Sequence, residues 1–224
     1  MRTSLFLLLL ALPAVPRSAS AQSLEDYDYE NLAFRGVGVE VGQILPARVE
    51  GTLLLGVRAD LGYLGPNVRI LPGITFWSSA LREGEVDDLR DNILELCRES
   101  GSDCVRELGE IRVSDLALAL DGHYTFPGDW AIAPYLGAGI ALHLLNGRGD
   151  LINGTFVEDL LDAISPGVNL IGGVEVPLGS SLRIFAEARG VLASDVQHAG
   201  LSLGASWLFP RPTAQTVPGT RGSR

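Results

Sequence analysis

Ten charged residues recur where strand alternation turns them all to one side: Glu40, Arg58, Asp60, Arg69, Asp115, Asp121, Glu175, Arg183, Glu187 and Arg189. Carboxylates and guanidiniums gathered in a narrow space neutralise one another by charge-assisted hydrogen bonds, because an isolated buried charge is costly. Ion pairing is therefore the chemistry these types and spacings predict. Acyl-transfer catalysis makes a different demand, a base within reach of a nucleophile. The three histidines read His123-Tyr-Thr, His143-Leu-Leu and His198-Ala-Gly, so none is followed two residues on by a serine. His198 and Ser202 share a face, but four extended residues of about 3.3 Å separate them by about 13 Å. No catalytic residue, cofactor or metal site is expected.

The elements that must position these charges have a period of two. Eight segments alternate: Phe34 to Leu45, Thr52 to Tyr63, Val68 to Ser79, Ile111 to Phe126, Trp130 to Leu145, Val168 to Leu178, Leu182 to Leu192 and His198 to Phe209. One face is apolar, as in Val37, Val39 and Val41 or Leu116, Leu118 and Leu120; the other carries glycine and charge. Ile171 and Phe185 break the pattern by falling on the polar side. Strands of about ten residues suit a tilted membrane crossing better than a soluble sandwich. Leu64-Gly-Pro-Asn67, Pro127-Gly-Asp129 and Gly179-Ser-Ser181 read as tight turns, whereas residues 80–110 and 146–167 are long loops. Across Pro127-Gly-Asp129 a three-residue loop would pair Phe126 with Trp130. With Tyr63, Trp207 and Phe209, these two form an aromatic girdle at the short-turn ends. Alternation alone also suits the alternative, a soluble periplasmic or secreted barrel holding a small apolar ligand inside.

The start of the chain, MRTSLFLLLLALPAVPRSASAQ, has the basic, apolar and small-residue regions of a secretory signal peptide ending at Ala21. Its apolar run is too short for a bilayer core of about 30 Å. Removing Arg2 and Arg17 with it takes the formal net charge from −10 to −12. That balance argues against a nucleic-acid partner, which needs a basic patch. In an exported chain Cys97 and Cys104, with no further Cys or His nearby in their loop, are expected to form a disulfide rather than bind metal. An acidic segment, 22–33, precedes the strands, and residues 210–224 form a Pro- and Gly-punctuated tail.

These features, and the terminal Ser206-Trp-Leu-Phe209, resemble the small eight-stranded outer-membrane β-barrel family of OmpA-type and OmpX-type barrels, over about residues 34–209. The resemblance implies an all-β, eight-stranded antiparallel up-and-down transmembrane barrel with both termini in the periplasm, and a last strand whose aromatic end is read by the barrel assembly machinery. It also implies outer-membrane lipid and lipopolysaccharide as surroundings, a monomer, and a non-enzymatic role: envelope structure, surface interaction or porin-like passage of small solutes or ions. The tail after Phe209 departs from the family pattern and is too short for a peptidoglycan-binding domain.

Inside eight strands there is barely room for side chains, so the ten charges should form a salt-bridged plug. A gated ion path is the other reading, if the inward glycines leave open space. Two loop helices are expected. One, within Glu85 to Cys97, carries Val86, Leu89, Ile93 and Leu96; the other starts at the capping box Thr155-Phe-Val-Glu158 and stops at Ser165-Pro-Gly167. They would either form a lid over the barrel mouth or rest separately at the membrane surface.

Overall fold

The structure, a computed structural model, describes residues 32–100, 109–128, 131–149 and 162–210, apart from the side chains of 96–100. Eight strands follow in chain order: β1 Leu32–Pro46, β2 Thr52–Leu64, β3 Val68–Ala80, β4 Arg112–Thr125, β5 Ala133–Arg148, β6 Ala163–Leu178, β7 Leu182–Ala193 and β8 Gln197–Leu208. Each pairs antiparallel with its neighbour, and β1 pairs with β8, so the sheet closes into a barrel. Closure leaves no strand edge whose N–H and C=O groups would face hydrocarbon unpaired.

The alternation read from the sequence becomes an inside and an outside. Leu53, Ile140 and Leu201 are 65%, 64% and 70% exposed, while Arg69 and Glu187 are 4% and 2% exposed. A water-soluble fold distributes these types the other way round. A predominantly apolar exterior around a polar interior is the arrangement of a barrel whose solvent is lipid. Ile171 and Phe185, the two exceptions to alternation, are buried in the lumen.

Three-residue turns join Leu64 to Val68 and Leu178 to Leu182, the second with Gly179 at φ +75°. Glycine reaches that left-handed conformation without a Cβ clash. The β4–β5 connection differs from the expected three-residue loop. Phe126 donates its N–H to Pro134 O at 3.0 Å, and the ladder begins at Thr125 and Tyr135. Pro127 has no N–H and a fixed φ, so it ends the strand early. Because the partner moves by an even number of residues, Phe126 still faces outward.

β6 starts at Ala163 instead of Val168, so Ser165-Pro-Gly167 continues a strand and does not stop a helix. Pro166 pairs with Leu142 of β5, while the β7 ladder reaches only Gly167. The missing N–H of Pro166 therefore falls where β6 has no second neighbour to satisfy. Among the described residues there is one helix, α1 Glu83–Ser100, not two. It contains the anticipated stripe, with Ile93 buried. The Thr155 capping box lies outside the described residues, and so does any packing between loop helices.

Candidate functional site

The barrel interior is built from three polar layers and an apolar one. At the short-turn end, Arg69 of β3 spans the lumen: its Nε lies 2.9 Å from Asp60 Oδ2 on β2, and its Nη1 donates to Glu175 Oε2 on β6 at 2.6 Å. The contact with Asp60 is an ion pair without hydrogen-bond alignment. Arg183 Nη1 occupies the other Glu175 oxygen at 2.6 Å. Asp60 Oδ1 in turn accepts the N–H of Gly62 at 2.8 Å, where the β2 register shifts and Gly62 takes φ +81°. The carboxylate thus serves a backbone bulge as well as an arginine.

In the middle layer Glu187 of β7 is the hub. It accepts from Arg58 Nη1 at 3.0 Å, Arg189 Nη2 at 2.8 Å and Tyr135 Oη at 2.9 Å. Arg189 Nη1 continues to Asp121 Oδ2 at 2.8 Å, and Asn169 Nδ2 donates to Asp121 Oδ1 at 3.0 Å. The guanidinium of Arg58 lies 3.5 Å from the centroid of the Phe185 ring, and Tyr135 stacks on His123 at 4.8 Å. Cation–π contact and stacking account for an otherwise misplaced phenylalanine among charges. Glu40 has no guanidinium within ion-pair distance among the described residues; Ser202 Oγ donates to it at 3.2 Å.

Nearer the long-loop end, Asp115 Oδ2 faces His143 Nδ1 at 2.8 Å and accepts from Trp77 Nε1 at 3.1 Å. His198 meets the Trp77 ring edge-on at 6.3 Å. Above this layer Ile44, Val49, Leu54, Trp77 and Val196 form an apolar cluster across the mouth. Arg82 holds its rim, donating from Nε to Val49 O and from Nη2 to Pro46 O, each at 3.0 Å.

The inward glycines do not leave a channel. A Cβ on Gly139 would meet the Asp121 carboxylate, one on Gly173 the Tyr135 hydroxyl, and one on Gly204 the Phe185 ring. Each glycine makes room for a large neighbour from the adjacent strand. One lumen void of about 20 Å³ touches Glu40, Arg189, His198 and Ser202, about the space of a single water.

All ten charged residues singled out from the sequence are on the lumen side, and eight of them are joined by the arginine–carboxylate pairs above; Glu40 accepts from Ser202, and Asp115 contacts Trp77 and His143. The sequence reading put Tyr135 and His143 on the polar face of their strand without a role in the charge network, and it missed Asn169 and Trp77. They share the parity of the charges, so the inward face of each strand, read whole, would have included them. Of the aromatics, Phe126, Trp207 and Phe209 face outward at the short-turn end, Tyr63 is half-buried there, and Trp130 lies outside the described residues. Phe34 joins them, its ring 5.5 Å from that of Phe209. Cys104 and the side chain of Cys97 lie outside the described residues as well.

Among the described residues no serine is placed to use a histidine as its base. Ser165 pairs across the sheet with His143, but its Oγ accepts the Asp195 N–H at 3.4 Å, and His143 Nε2 has no partner among the described residues. Ser202 Oγ is turned to Glu40, not His198. The interior is charged and filled, unlike the mostly apolar pocket an apolar ligand requires.

No protein-family model and no curated protein matches the sequence. Solved structures do match. Neisserial surface protein A superposes with a TM-score of 0.54 at 13% identity, over 78% of this chain and 97% of that one. Ail of Yersinia pestis matches at 0.44 and 10%, over 80% and 99%, and the outer-membrane protein AlkL at 0.46 and 14%, over 89% and 99%. At such identity the Neisserial likeness is one of fold: the chain is built as a small eight-stranded outer-membrane barrel.

Proposed function

We propose that this protein is a non-enzymatic component of the bacterial outer membrane whose barrel is an anchor, closed to passage, presenting its loops at the cell surface. The observation that supports this reading is the bracing of the lumen: arginines of β2 and β3 pair with glutamates of β7 and β6 from the opposite wall, under an apolar layer at the mouth. A lumen filled by ion-paired side chains offers an ion no path. In this reading the signal peptide, residues 1–21, directs export, and the short turns face the periplasm. The aromatic end of β8 serves recognition by the assembly machinery. Cys97 and Cys104 close a loop disulfide in the oxidising compartment. The acidic outer segments, among them Glu83, Glu85, Asp87 and Asp88 of α1, suit cationic partners or divalent ions shared with lipopolysaccharide.

Two measurements on one preparation test the reading. Membrane-fraction protein should migrate differently with and without boiling in detergent, as a closed barrel does, and should give no steady conductance in a planar bilayer. Step-like, reproducible conductance from the heat-modifiable species would replace the anchor with a pore.

A further inference from the structure

At the long-loop end, above the apolar layer, the structure contains a cleft of about 300 Å³. Val49, Leu81, Val113, Leu145 and Val196 contribute apolar walls, and Val49, Trp77 and Val196 belong both to the cleft and to the cluster that floors it. Arg48 and Asp195 border the cleft with opposite charges. Three properties set this cleft apart from the rest of the surface. Its residues belong to the barrel mouth and not to the lipid-facing belt, so an occupant arrives from water. The cleft is floored, since Trp77 is fixed by its N–H to Asp115 and the lumen below is filled. The Arg82 hydrogen bonds to Pro46 and Val49 hold the rim in shape, so little ordering entropy opposes binding.

We propose that this cleft binds a small neutral aromatic molecule with one hydrogen-bonding group, its ring against Trp77 and the apolar walls and its polar end towards the Arg48–Asp195 rim. At interior packing density the volume accepts about ten to fifteen non-hydrogen atoms. A lipid acyl chain fits the site less well, because the cleft is bordered by charge and not continuous with the apolar exterior. The inference assigns a ligand to the outer mouth and is independent of conductance, so a conducting barrel would overturn the anchor reading and leave this one standing.

The test uses the full chain in phospholipid bilayers with Trp130→Phe and Trp207→Phe, which leaves Trp77 as the fluorophore, and titrates 4-nitrobenzyl alcohol as a quenching probe. Saturable quenching with a dissociation constant of about 0.1 mM is expected for a ligand of this size. Ala163→Phe, which fills the cleft from β6, should weaken binding at least tenfold while the heat-dependent mobility shift persists; Val113→Phe fills it from β4 if the first variant does not close. Quenching that rises linearly with the probe, or saturable quenching equally strong in the filled variant, would overturn the proposal and mean that the probe reaches Trp77 by partition into lipid.

Discussion

Deleting the Glu187 carboxylate is the severest single test of the lumen. Four donor atoms converge on it: Arg58 Nη1, Arg189 Nη2, Arg189 Nε at 3.2 Å and Tyr135 Oη. In Glu187→Ala, Arg189 keeps Asp121, whereas Arg58 loses its carboxylate partner in a site where its side chain is 6% exposed. An uncompensated buried charge of this kind costs about 3–5 kcal/mol, and the abandoned Tyr135 hydroxyl adds about 1 kcal/mol. With a urea slope of about 2 kcal/mol/M, the unfolding midpoint in phospholipid vesicles should fall by about 2–3 M. Tryptophan emission and unboiled electrophoretic mobility should report the same midpoint. The double variant Arg58→Met with Glu187→Leu should recover part of the loss, because no guanidinium is then left without a carboxylate. Arg90→Ala, which breaks the exposed Arg90–Asp87 pair of α1, should change stability by less than about 0.5 kcal/mol. A Glu187→Ala midpoint within about 0.5 M of the parent would refute the reasoning: the pairs would then be worth no more than surface ones.

Three further outcomes test other parts of the structure. Gly139→Ala should lower the urea midpoint, because its Cβ would displace the Asp121 carboxylate and lie 2.6 Å from Leu120 O, while Gly190→Ala, with nothing within 4 Å, should be neutral. Leu118→Arg, outward at the middle of β4, should cost about 2–4 kcal/mol in a bilayer; a neutral effect would turn that face to water. Iodoacetamide should label neither Cys97 nor Cys104 in the exported chain until it is reduced, and reduction should leave barrel mobility unchanged.

Which residues face inward was legible because the period of two is strict and one slip would reverse every face. That logic even placed Phe185 correctly, although only the structure explains it, as a platform for Arg58. Which arginine meets which carboxylate was not legible. Arg58 and Glu187 stand on strands that are not neighbours in the sheet, so their contact depends on the stagger and tilt of the closed barrel. Turn chemistry misled twice, in opposite directions. Proline reads as a breaker, yet Pro166 continues a strand where the neighbouring ladder has ended, and Pro127 lengthens a connection that its glycine suggested was tight.

The cross-lumen pairs also bear on how the barrel is made. Arg58 and Glu187 are 129 residues apart in sequence, and Arg69 and Glu175 are 106 apart. Neither pair exists until hairpins from both halves of the chain face each other. A partly assembled sheet would present those arginines and carboxylates to hydrocarbon with no counter-charge, at about 2–4 kcal/mol for an arginine near the midplane and less for a carboxylate or for a charge nearer the membrane interface. Insertion and closure are thereby coupled into one cooperative event, slow because its decisive contacts are long-range. The same charges that fill the finished lumen act beforehand as an assembly checkpoint, penalising any sheet that enters the membrane before β1 has found β8.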